Sequence, residues 1–172
     1  MADLTYNIAT YTLKGMVGGV SFETRGFSGG RGGSKTEGVT NYFLANNIFS
    51  TGIQKNHGDP NSVGGTLPLG TYKMYLHEER HPWIRLIPLN DKAMHNRSGF
   101  AIHGSGPRGS DGCIVLTDSA ILKLLVEQVG SLSGKCKKKD HVLILPKSKQ
   151  ITTIEVVAVG TDLDAKNPIK YA

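Results

Sequence analysis

Apolar and polar residues alternate along most of this chain with a period of two, the spacing of a strand that buries one face. Leu4, Tyr6 and Ile8 hold one phase and Tyr11 and Leu13 another, which predicts a strand over 4–13 with a shift near Ala9. Gly15, Gly18 and Gly19 then punctuate the chain, and Val20 to Phe27 follows as a partner strand, an opening hairpin. Tyr72, Met74 and Leu76 alternate with Thr71, Lys73, Tyr75 and His77 in a half-buried strand, and Trp83 to Leu89 reads as the next. The runs Phe100–Ile102 and Ile114–Leu116 flank a glycine-rich loop and read as two more. The period changes to that of a helix once, where Ile121, Leu124, Leu125 and Val129 share a face, opened by Thr117 or Asp118 as cap and ended by Gly130. The β-branched runs His141–Leu145 and Ile151–Val159, parted by a turn at Pro146–Gln150, are expected to close the sheet. This pattern predicts one mainly β domain over residues 1–160, a small sandwich or barrel with one principal packed helix, and a polar tail over 161–172.

The segments between these elements read mostly as loops. Ser28 to Thr36 is SGGRGGSKT, which invites a phosphate-loop reading, but Ser34 separates Gly33 from Lys35 where that loop needs glycine directly before the lysine. Thr40 to Phe49 has no clear period. Gly52 to Gly65 is polar, and its His57 and Asp59 read as solvated. His77, Glu78, Glu79, Arg80 and His81 read as a solvated hairpin tip rather than as acid and base groups. Trp83 is expected in the core or in a cleft wall. Lys135, Lys137, Lys138 and Lys139 form a basic loop without interleaved aromatics, so a solvated charge run fits better than a nucleic-acid site.

The chemistry concentrates in Phe100 to Leu116, FAIHGSGPRGSDGCIVL. His103 ends one apolar run and Cys113 begins the other, so a hairpin-like connection is expected to bring them together. A cysteine attacks as thiolate, and an imidazole beside it assists its ionisation. Gly112, with no side chain next to the sulfur, permits close approach of a substrate, and the amides of Gly112 and Cys113 are candidates for an oxyanion hole. The Gly104 carbonyl is a candidate to fix the tautomer of His103. Ser110 either orients His103 through its hydroxyl or shapes the turn; Asp111 is a turn residue or a group that polarises His103 or repels carboxylates. Arg108 is either a contact for a substrate carboxylate or an exposed loop arginine.

A histidine followed by a Ser-x-Gly-Cys block and an apolar strand resembles the active-site signature of YkuD-type L,D-transpeptidases. The ten-position interval from His103 to Cys113 resembles the divergent branch delivered as antibacterial effectors by type VI secretion systems. Phe27-Ser28-Gly29 and Gly65-Thr66-Leu67-Pro68-Leu69-Gly70-Thr71-Tyr72 resemble further segments of that family, the second its Pro-x-Gly-x-Tyr turn and strand. Asp111 stands where the housekeeping signature has histidine, and Val115 where it usually carries arginine or asparagine. The resemblance implies a YkuD-like β-sandwich or barrel and no cofactor. It also implies acyl transfer on peptidoglycan tetrapeptide stems, either removing the terminal D-alanine or exchanging it for another D-amino acid. A cognate immunity protein and type VI secretion components are the implied partners. A sortase-like or other cysteine peptidase, and a non-catalytic cell-wall or nucleic-acid binding module, are the alternative readings.

Composition adds bounds. A chain of 172 residues buries about 70% of its unfolded surface, so no metal or disulfide framework is needed to hold it, and it is expected to act as a monomer. The net charge of +6 favours acidic partners without choosing among cell wall, lipid and nucleic acid. The two cysteines, Cys113 and Cys136, are expected as thiols in the active form, since a bridge would silence the nucleophile. The six histidines are scattered, with no paired CxxC or HExxH element, so no metal site is expected. The start MADLTYNIATYTL has neither basic nor apolar signal-peptide character, and no apolar run is long enough to span a bilayer. The expectation is synthesis in the cytoplasm, export by another route, and action in the periplasm of a target bacterium.

Overall fold

The computed structural model describes residues 1–30, 46, 48–54, 64–104, 112–148 and 150–160. In chain order the strands are β1 (Leu4–Asn7), β2 (Thr12–Val17), β3 (Val20–Ser28), β4 (Gly70–Leu76), β5 (Ile84–Pro88), β6 (Ala101–Gly104) and β7 (Ile114–Leu116). The helix α1 (Ser119–Ser133) and the strands β8 (Lys137–Lys139), β9 (Val142–Ile144) and β10 (Thr152–Val157) follow. Eight strands close into a barrel in the order β1-β10-β4-β5-β6-β7-β3-β2, and β8 pairs only with β9. Among the described residues the protein is mainly β with one α-helix.

Alternation does what the sequence pattern requires. Leu4, Tyr6, Leu13, Tyr72, Met74, Ile84, Leu86, Ile102, Ile114, Ile154 and Val156 point inward and form one buried core. The phase shift near Ala9 is a full turn between β1 and β2, where Tyr11 takes a φ of 59°. The helix packs against β2, β3, β4, β6 and β10. Its buried face is Leu122, Leu125, Val126 and Val129, whereas Leu124, expected on that face, is 39% exposed. Asp118 caps it, its carboxylate accepting the amides of Ala120 and Ile121 at 3.0 and 3.1 Å. The helix runs on past Gly130 to Gly134, because Gly130 serves close packing rather than termination: a Cβ there would stand 2.7 Å from Leu76 Cδ1.

Two further expectations are corrected. The run His141–Leu145 does not close the sheet. Its residues Val142–Ile144 pair with Lys137–Lys139 in a separate ribbon, with Val142 62% exposed, and β10 alone closes the barrel between β1 and β4. A three-residue strand whose partner is all lysine has no apolar face to bury. The connection from His103 to Cys113 is not a hairpin either. Strands β6 and β7 run parallel, Ile102 opposite Ile114 and His103 opposite Val115. Ile102 and Ile114 both belong to the core, and this parallel register keeps both inside. The tail over 161–172 lies outside the described residues.

Candidate active site

The parallel register decides where the two candidate groups stand. His103 and Val115 are register partners, alternating with the core residues Ile102 and Ile114, and Cys113 is the residue directly before β7, two positions ahead of Val115. Histidine and cysteine are thus carried by neighbouring segments of the barrel, His103 within β6 and Cys113 at the entry to β7. Cys113 is half-buried, and its Sγ lies 4.0 Å from the carbonyl oxygen of Gly99. Cys136 is buried and is not joined to it by a disulfide. Burial, followed by the charge of Glu78, pushes the Cys136 thiol up to about 11.

The imidazole of His103 is fixed on two sides. Its Nδ1 is 2.7 Å from the carbonyl oxygen of Gly104. A carbonyl only accepts, so this contact puts the proton on Nδ1 and leaves Nε2 as the basic nitrogen of the neutral ring. On the other side Trp83, just before β5, stacks on the ring with centroids 4.2 Å apart and planes 14° apart. The antiparallel register that sets Ile84 opposite Ile102 brings Trp83 across from His103. Trp83 is therefore a wall of the site.

Three segments remote in sequence meet behind Cys113. The Ser28 hydroxyl, fully buried at the end of β3, donates to the Gly112 carbonyl at 3.1 Å and accepts the Leu67 amide at 2.8 Å. Gly29 lies so close to the 65–66 backbone that a Cβ there would sit 2.4 Å from the Gly65 carbonyl carbon. Tyr72 steadies the same turn through its hydroxyl, which donates to the Pro68 carbonyl at 2.6 Å. Arg97 then ties this turn to the cysteine. Its Nη1 donates to the carbonyls of Thr51 and Thr66, its Nη2 to that of Gly65, and its guanidinium packs over Phe100. Gly112 adopts a φ of 120°, and a Cβ on it would stand 2.2 Å from Arg97 Nη2. The room left by the missing side chain is filled on this side by the arginine.

A cavity of about 430 Å³ opens beside Gly99, lined by Pro88, Asp91, Arg97, Phe100 and Leu143 among others. Gly99, whose carbonyl oxygen is the one 4.0 Å from Cys113 Sγ, is among its lining residues.

Of the residues singled out from sequence, His103 and Gly104 stand at the end of β6 and Gly112 and Cys113 directly before its parallel neighbour β7. Arg108, Ser110 and Asp111 lie outside the described residues, as do His57 and Asp59. Sequence reading missed Arg97, which carries no periodic signal in a polar loop, and gave Ser28 no role. The reading of His77–His81 as a solvated tip is corrected for its first two members. The Glu78 side chain is 2% exposed and paired with Arg85, while His77 accepts the amides of Glu79 and Arg80 on Nδ1, both at 3.1 Å. His77 also meets Trp83 edge-on at 5.6 Å, so this buried cluster supports the tryptophan behind His103. Among the described residues, no group of three or more His, Cys, Asp or Glu is placed to hold a metal, and no helix is long and apolar enough to cross a membrane. No protein-family model, curated protein or solved structure matches the chain significantly.

Proposed function

We propose that the protein is a cysteine acyltransferase of the L,D-transpeptidase kind, acting on peptidoglycan tetrapeptide stems. The observation that carries the proposal is the parallel pairing of β6 with β7, which runs the strand of His103 beside the one that Cys113 enters, while the Gly104 carbonyl engages Nδ1 and leaves Nε2 available as base. In the reaction Nε2 of His103 takes the thiol proton, and the sulfur attacks the carbonyl carbon of the third residue, a diamino acid. The resulting tetrahedral oxyanion needs amide donors, for which those of Gly112 and Cys113 are the candidates. The C–N bond to D-alanine breaks, the imidazolium returns its proton to the departing amine, and a thioester remains. Attack by water gives a tripeptide carboxylate and free thiol; attack by the amine of another D-amino acid gives an exchanged tetrapeptide.

Several features support this reading besides the pair itself. The segments that resemble the YkuD family, 27–29 and 65–72, are those that converge on Gly112 through Ser28 and the Gly65–Leu67 backbone. The eight-stranded barrel with one helix is compatible with a YkuD-like fold. As a further part of the proposal, the protein is a type VI secretion effector acting in the periplasm of a target cell and restrained by a cognate immunity protein.

The sortase-like reading gains one observation, an arginine close to the nucleophile's loop. Arg97 precedes the cysteine in the chain and spends its donors on three backbone carbonyls, which suits a clamp better than a substrate contact. Mass analysis of tetrapeptide fragments incubated with the protein separates the two, because an endopeptidase leaves the terminal D-alanine in place.

A further inference from the structure

Glycine is the least constrained residue type, and Gly112 stands directly before the candidate nucleophile at a φ of 120°. Something outside the local chain must therefore hold it. Two groups do so, the Ser28 hydroxyl on its carbonyl and the Arg97 guanidinium against its α-carbon side. With a virtual Cβ 2.2 Å from Nη2, the guanidinium nitrogen lies within about 4 Å of Gly112 Cα.

Arg97 is 9% exposed, an unusual place for a cation whose removal from water is costly unless its donors are satisfied. An apolar side chain would fill the same space without that cost. What it would not do is tie the carbonyls of Thr51, Gly65 and Thr66 into one rigid fork and hold that fork against the cysteine's loop. A lysine, with a single nitrogen, cannot reproduce the planar arrangement either.

Resting on the reading of Cys113 as nucleophile, we propose that Arg97 is a positioning residue, whose guanidinium braces Gly112 against the 51 and 65–66 backbone and so aims the Cys113 thiol. It acts through Gly112 without touching the substrate. A misaimed nucleophile slows the chemical step more than it weakens binding. The same brace accounts for glycine at 112, since any side chain there drives the guanidinium out of its fork.

The test uses Arg97→Met, Arg97→Lys and Gly112→Ala in the full chain. Iodoacetamide alkylation of Cys113 is followed against pH, kcat and KM are measured on purified tetrapeptide fragments, and folding is checked by cooperative unfolding. The expected result is a displaced alkylation profile in all three variants, with kcat lower by about 10- to 100-fold and KM within about threefold. Arg97→Lys is expected not to rescue, because charge without the fork does not brace. If Arg97→Met fails to fold, Gly112→Ala carries the test, since it displaces the guanidinium without deleting it. Native alkylation profiles in the folded variants overturn the proposal, as does full kcat in Arg97→Lys. Alkylation needs no substrate, so a displaced profile alongside an inert native protein supports the brace and sinks the tetrapeptide assignment. An active native protein with indifferent variants does the reverse.

Discussion

The imidazole of His103 lies flat on the indole of Trp83, ring centroids 4.2 Å apart, while its Nδ1 faces the Gly104 carbonyl at 2.7 Å. Stack and hydrogen bond together leave the ring little freedom to turn. An aromatic contact of this kind contributes about 0.5–1.5 kcal/mol beyond area burial. Trp83→Ala is therefore expected to lower kcat by roughly 2- to 10-fold with little change in KM, and Trp83→Phe to keep most of the activity. Steady-state kinetics on tetrapeptide fragments check this. Full activity in Trp83→Ala would mean that the stack does not orient the base.

Ser28 joins β3 to both halves of the site with one hydroxyl. Ser28→Ala leaves the Leu67 amide and Gly112 carbonyl without that partner in a buried place, a loss of about 1–3 kcal/mol. Urea unfolding is expected to show it, together with a drop in kcat. Unchanged unfolding would place the connection between these segments elsewhere.

Most of the strands and the helix were legible in the sequence because each depends on local pattern, whereas β8 was hidden in a lysine run read as a solvated loop. Period-two alternation located β4, the run Trp83–Leu89 located β5, a β-branched run located β10, and the flanking apolar runs located β6 and β7 around the glycine-rich loop. What the pattern does not carry is strand direction. His103 and Cys113 belong to strands that run parallel, β6 and the entry to β7, where a short glycine-rich connection suggested a hairpin. Arg97 and Ser28 were invisible as site residues for a related reason. Their partners stand 31 to 84 positions away along the chain, so no local spacing records them. Glu78 was misread because its charge suggested solvent, while Arg85, seven residues on, makes burial tolerable.

The buried His77, Glu78 and Arg85 predict how stability responds to acid. Burial, then the Arg85 charge, holds the His77 imidazole below its ordinary 6.5. Burial pushes the Glu78 carboxyl up, but its hydrogen bonds, that from Arg85 foremost, and the Arg85 charge outweigh this and hold it below 4.5. In both cases the unfolded chain binds protons first, so stability falls as pH drops below about 6.5 through His77 and again below about 4.5 through Glu78. Unfolding midpoints measured from pH 8 to 4 are expected to decline in that order. His77→Gln is expected to flatten the first step; a decline between pH 7 and 5 unchanged by that substitution would contradict the assignment.

The two thiols are expected to behave differently. Cys136 is 1% exposed with its thiol pushed up to about 11, so at pH 8 only about one part in a thousand is thiolate. Iodoacetamide on the native protein is expected to modify Cys113 and spare Cys136, read by peptide mass mapping. At high pH the sign is also fixed. The folded state keeps a proton that the unfolded chain releases, so stability falls between about pH 9 and 11, and Cys136→Ala is expected to reduce that fall. Labelling of Cys136 in the native state would contradict its burial.

In the reaction proposed for this protein, Cys113 performs acyl transfer at the terminal D-alanine of a tetrapeptide stem. The most direct test is mass spectrometry of purified tetrapeptide fragments incubated with the reduced native protein and with Cys113→Ala, with and without an added D-amino acid. The expected result is loss of D-alanine, or its replacement by the added residue, with native protein only, and a thioester-linked tripeptide adduct on Cys113 in quenched samples. Fragments left intact by a folded protein with a reactive Cys113, or the same products from Cys113→Ala, would contradict it.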